Sequence, residues 1–331
     1  VTRTEPAFAD HHVHLLRVAA GEAAPPASPA PPPDPGLGAR IAAHHRRLAA
    51  EGTNPMDDLD PAPVTGDELA KRLHGALAWA RDLGLVEITE AGMAGWEYFD
   101  ALAALREKGP LPVRVQLLVA SGLARPDMPR TGDPMLEVIG VKLYADGWLG
   151  PRTCAVSHPL LDSPDSGDHG ILFQDADTLA RRAEPFAAAG LTVAIHAIGD
   201  RAIEAALDAY EKVYGADCAV AAPRIEHAQL LRPDLIERIA AMGVVVCIQP
   251  SFAVSDAPAR RAALGDRWPQ AYGWNALLAA GARVIAGSDF PIETLSPQEN
   301  LERLVTGRDP DSGEVVADPV PRDAALAMMT A

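Results

Sequence analysis

The 331 residues, 48% of them hydrophobic, give ample apolar material for a core and the length of one α/β barrel with insertions. The 45 acidic residues outnumber the 29 basic ones and leave a formal charge of −16, which repels phosphate backbones and excludes nucleic acid as a partner. No apolar stretch approaches the roughly 20 residues that span a bilayer. No signal peptide opens the chain, and the three cysteines (Cys154, Cys218, Cys247) form no CxxC pair, so a cytoplasmic protein with no membrane partner is expected.

The first apolar run, 7–14, contains Phe8-Ala9-Asp10-His11-His12-Val13-His14. Side chains alternate along a strand, so His12 and His14 share one face and His11 takes the other. Two imidazoles at that spacing chelate a divalent metal if the face points inward; an exposed histidine cluster satisfies the same pattern. Residues 17–66 then break the rhythm with a Pro/Ala-rich tract at 23–35. Such a tract forms neither a helix nor a central strand, and it reads as an extended insertion loop, either a lid or a solvated linker. Helical patterns at 67–83 and 97–108 flank a strand at 85–90, and further strands follow at 113–119 and 138–144.

The strand at 138–144 carries Lys142 amid apolar neighbours. A bare ammonium there is expensive to desolvate, so the residue either pairs, is modified, or reaches solvent along its stem. After a long loop at 145–174, helices at 175–189, 200–214, 233–242 and 270–280 alternate with strands at 191–196, 223–227, 243–248 and 283–288. The run Val244-Val245-Val246-Cys247-Ile248 is apolar throughout, as a parallel strand covered on both faces should be. His196 and His227 stand at strand ends, a position that suits a structural histidine and a ligand alike. Asp289 follows the last strand, as a ligand and base or as a helix N-cap. Eight strands alternating with helices predict a (β/α)8 TIM barrel over 1–331 as one unit, and the loops 17–66, 145–174 and 249–269 crowd its C-terminal face, where catalytic residues gather.

These sites, taken in order, resemble the amidohydrolase superfamily, and more narrowly its YtcJ-like branch with the N-substituted formamide deformylases. The stretches that carry the likeness are Gly140–Thr153 (GVKLYADGWLGPRT), Ile195–Tyr210 (IHAIGDRAIEAALDAY) and Arg224–Ser251 (RIEHAQLLRPDLIERIAAMGVVVCIQPS). The resemblance implies a metal-dependent hydrolase barrel in which His12 and His14 bind one metal, His196 and His227 a second, and carboxylated Lys142 bridges two Zn2+. Asp289 is then both ligand and general base, and Tyr144, Asp146 and Arg152 become candidate substrate contacts. The implied reaction is cleavage of an amide-type C–N bond in a small molecule. A one-metal deaminase or lactone and ester hydrolase, in which Lys142 stays an amine, and a barrel that only binds are the alternatives. The accessory β-sandwich of relatives is expected to be largely missing. Trp148, Pro151 and Phe290 stand where smaller residues are expected and would reshape the pocket; a homodimer is a further expectation.

Overall fold

Runs of β-branched and other apolar residues become the staves of a barrel. In the computed structural model, which describes residues 7–21, 37–55, 62–163 and 167–330, they are β1 (Phe8–Val13), β2 (Leu85–Met93), β3 (Arg114–Ala120), β4 (Leu136–Tyr144), β5 (Thr192–Ala197), β6 (Arg224–His227), β7 (Val245–Ile248) and β8 (Arg283–Ala286). They pair in chain order, every neighbour parallel. The ring closes between β1 and the segment just beyond β8. There the His14 N–H donates to the Phe290 carbonyl and the Asp289 N–H to the His12 carbonyl, each at 2.7 Å. Gly287 makes this closure feasible, because a Cβ on it would lie 2.4 Å from the His12 nitrogen. The buried Asp10 carboxylate stitches the same seam, accepting from the N–H groups of His12 (3.1 Å) and Ser288 (2.9 Å). The architecture is the (β/α)8 barrel that the alternating pattern predicts.

The helices, in chain order, are α1 (Leu15–Ala20), α2 (Leu37–Ala50), α3 (Gly66–Asp82), α4 (Trp96–Lys108), α5 (Ala176–Ala188), α6 (Asp200–Tyr214), α7 (Cys218–Ala221), α8 (Pro233–Met242), α9 (Phe252–Ser255), α10 (Ala257–Leu264), α11 (Trp274–Ala279), α12 (Pro297–Thr306) and α13 (Arg322–Met329). Their apolar faces bury Leu69, Leu73 and Leu77 of α3 and Ile203 and Leu207 of α6 against the sheet. At 25 cal/mol per Å2 of apolar area, each such leucine contributes about 2 kcal/mol relative to exposure. Among the described residues no helix is long and apolar enough to cross a membrane, and all three cysteines are buried free thiols.

Four details depart from the sequence-based expectation. The β3–β4 connection, residues 121–135, carries no helix. β2 runs on to Met93 rather than ending at 90, so Glu90 lies within the strand and not at its end. The insertion 17–66 is not simply an extended loop: α2 is a 14-residue helix within it, while the Pro-rich tract 23–35 lies outside the described residues. Residues 249–269 likewise hold α9 and α10. In α2 the less exposed positions Ile41, Ala42, His45 and Leu48 recur at helical spacing, and alanine, the strongest helix former, favours both α2 and α10.

Candidate metal centre

Three elements deliver the histidines. His12 and His14 lie at the C-terminal end of β1, His196 near the end of β5 and His227 at the end of β6. Their rings form a chain across the barrel mouth, with centroids 5.5 Å apart for His12–His14, 5.0 Å for His12–His227 and 4.4 Å for His196–His227. Asp289 Oδ1 stands 3.2 Å from His14 Nε2 and 3.5 Å from His12 Nε2. Lys142 Nζ lies 3.5 Å from His12 Nε2 and 5.1 Å from the centre of the Tyr144 ring. All six predicted metal residues are therefore brought together, and His11 points away as alternation requires.

Backbone strain completes the cluster. A left-handed backbone is uncommon for residues other than glycine, yet His227 has φ 78° and Asp289 φ 58°. At His227 the twist ends the strand's alternation, so the neighbours Glu226 and His227 both turn inward: Glu226 meets His12 while His227 packs on it.

Three of the four rings are oriented from behind. His12 Nδ1 donates to Glu226 Oε2 at 2.5 Å, and His227 Nδ1 donates to Gln249 Oε1 at 2.7 Å, so both present Nε2 to the centre. His196 does the reverse: its Nε2 donates to the Gly147 carbonyl at 3.0 Å, which leaves Nδ1 as the lone-pair nitrogen. His14 Nδ1 is buried 3.5 Å from Glu90 Oε1, out of hydrogen-bond alignment. Burial, reinforced by neighbouring positive groups, holds His12, His196 and His227 well below the usual imidazole range and keeps them neutral, the form that ligates metal. Burial also disfavours charge on His14, but the carboxylates of Asp289 and Glu90 outweigh it and raise its pKa to about 9. For Asp289 burial favours the acid, yet His12, His14 and Lys142 hold it below the ordinary carboxylate value. Burial draws Lys142 down, against the pull of Glu226 and Asp289.

Above the cluster opens a cavity of about 300 Å3 whose apolar wall includes Trp148, Ile198, Phe252 and Ile292. The sequence model of the amidohydrolase family matches residues 6–331. The chain belongs to the amidohydrolase family. As a member it is 36% identical over 200 residues to YtcJ of Bacillus subtilis and 31% identical over 144 residues to the N-substituted formamide deformylase of Arthrobacter pascens. Those alignments span 60% and 43% of this chain but only 37% and 27% of the two relatives. A metal-dependent hydrolase from Pyrococcus furiosus superposes with a TM-score of 0.75 over 98% of this chain and 80% of its own, at 23% identity, a likeness of fold.

Within this amidohydrolase, two of the three expected substrate contacts have other employment. Asp146 is fully buried and accepts from the backbone N–H groups of Ala155, Ile198 and Gly199 at 2.8–3.0 Å, so it fixes the loop after β4. Arg152 is clamped by both oxygens of Asp162 and by the carbonyls of Leu149, Gly150 and Ala259. In both cases structural partners already engage the charge: backbone N–H groups for Asp146, and for Arg152 the Asp162 carboxylate together with backbone carbonyls. Tyr144 does line the cavity. Trp148 also forms its wall, while buried Phe290 packs on Trp79 outside it. Sequence reasoning missed Glu226, Gln249 and Glu90. Glu226 did leave a signal, being a carboxylate in a short strand whose four residues are all buried.

Proposed function

We propose that the chain is a metal-dependent hydrolase that cleaves an amide-type C–N bond of a small molecule. The observation that carries this reading is the convergence of four imidazoles and one ionised carboxylate at the barrel mouth, with three rings held neutral and three tied from behind by hydrogen bonds. That donor set fits a divalent cation, and nitrogen with carboxylate oxygen suits zinc. His12, His14 (whose proton the cation would displace) and Asp289 would hold one ion and His196 and His227 a second. Lys142 is drawn toward its neutral amine by burial, the form that adds to carbon dioxide, and as a carbamate it would bridge the two. Bound divalent metal supplies water acidic enough to ionise near neutral pH and a Lewis acid for the carbonyl.

The chain's own residues do the rest. Asp289, held below the ordinary carboxylate value, is the base that takes the proton from the attacking water. It then returns that proton to the nitrogen as the C–N bond breaks and the new C–O bond is complete. Glu226 and Gln249 keep the His12 and His227 rings fixed throughout. The wall of Trp148, Phe252 and Ile292 receives an apolar portion of the substrate and excludes water from the cleft.

Metal analysis of the purified protein, followed by chelation and reloading, tests the reading. Two ions per chain, with amide hydrolysis lost on chelation and regained with zinc, is the expected result. One ion with an unmodified Lys142 amine would favour a deaminase or lactone hydrolase, and no ion would leave a barrel that only binds.

A further inference from the structure

Gln229 stands two residues beyond His227 and lines the same cavity, yet its side chain has no part in the proposed chemistry. It is only 3% exposed, and its Oε1 is buried without a hydrogen-bond partner. Native proteins rarely leave a buried acceptor unmet, because the loss of hydration is not recovered. Nor can the residue withdraw. Its carbonyl accepts from the Tyr272 N–H at 2.8 Å, and the next residue, Leu230, bridges to Ala271. The other buried amide of the site is spoken for, since Gln249 accepts from His227 and donates to the Cys247 carbonyl at 3.1 Å. Asp256, across the cavity, already accepts from the Tyr272 hydroxyl at 2.6 Å. Glutamine's last torsion is broad, so rotation about it can present Oε1 to the cavity that the residue lines.

We propose that Gln229 is a specificity-determining residue whose Oε1 accepts a hydrogen bond from a substrate N–H, so that the site takes amides bearing an N–H over those alkylated on nitrogen. The inference rests on the amide-hydrolase reading. A site built to hydrogen-bond a substrate N–H discriminates strongly against the analogue that lacks it, whereas an apolar wall alone discriminates weakly.

The test compares N-phenethylacetamide with its N-methyl counterpart, on zinc-loaded native protein and on Gln229→Met, a variant of similar length. Zinc content and melting temperature confirm that the variant is folded and loaded. The native protein should prefer the N–H amide by about tenfold or more in kcat/KM, and Gln229→Met should bring that ratio to about threefold or less. An unchanged ratio would overturn the proposal, as would a variant that slows both substrates equally, the signature of a contact to the carbonyl. If the loaded native protein hydrolyses neither amide, the hydrolase reading fails on its own account. Calorimetric Kd values for the same pair then decide the Gln229 contact by the same ratio.

Discussion

Replacing Glu226 by glutamine (Glu226→Gln) probes how the centre is held without touching any residue that would ligate metal. The carboxylate serves two donors at once: Oε2 accepts from His12 Nδ1 at 2.5 Å, and Oε1 accepts from Arg224 Nε at 2.9 Å. An amide has one oxygen. Whichever way the substituted side chain turned, its NH2 would face either the imidazole N–H or the guanidinium, and one buried donor would go unmet. That loss costs about 1–3 kcal/mol. Breaking the pair with Arg224, whose side chain is 8% exposed, belongs to the class of buried charge losses worth about 3–5 kcal/mol. If the amide oxygen is retained toward Arg224, His12 loses its carboxylate. Removal of such a partner typically weakens metal binding about 10–100-fold, or roughly 1.4–2.8 kcal/mol. Zinc Kd by chelator competition at fixed pH, read beside melting of the metal-free protein, separates the two effects. Binding within twofold of native and an unaltered melting temperature would refute the orienting role.

Asp289→Asn keeps the shape of the side chain but removes the basic oxygen. It should lower kcat about a hundredfold or more with little change in KM, measured by steady-state kinetics on the zinc-loaded variant. Reloading with zinc in 13C-labelled bicarbonate should place label on Lys142 as a carbamate signal in NMR spectra; an unlabelled, fully loaded protein would point to the one-metal alternative. Gly287→Ala puts a methyl group 2.4 Å from the His12 nitrogen, and denaturant melts should show a loss of about 1–3 kcal/mol or more.

Much of the barrel and most of the candidate site were legible because they depend on local pattern. The apolar runs ended near their observed bounds, the alternation in β1 set His12 and His14 on one face, and His196 and His227 stood at strand ends. What escaped depends on contacts across the barrel. Glu226 meets His12 from a strand far along the chain, and no spacing rule connects them. The left-handed backbone at His227, which lets adjacent residues both face inward, has no glycine to announce it. Asp146 and Arg152 carry reactive-looking side chains, but backbone N–H groups engage Asp146, and the Asp162 carboxylate with nearby carbonyls engages Arg152. Composition concealed α2. Its His45 packs edge-on against Trp148 and Phe173, with centroids 5.1 and 5.5 Å apart, and Arg46 pairs with Asp168 at 2.5 Å. The insertion thereby leans on a wall of the cavity.

The seam of the barrel has a consequence for folding. Strands β1 and β8 come from opposite ends of the described chain, and the residues that would share one ion, His12, His14 and Asp289, sit on either side of their junction. Strands elsewhere in the ring are joined by ladders that connect neighbours in sequence. Here the closure is the longest-range step, and its entropic penalty comes before its contacts form. A cation gripped across that line acts as a clasp. At a free concentration a thousandfold above its Kd it adds about 4.1 kcal/mol to the closed barrel, and the metal-free chain should open first along this join.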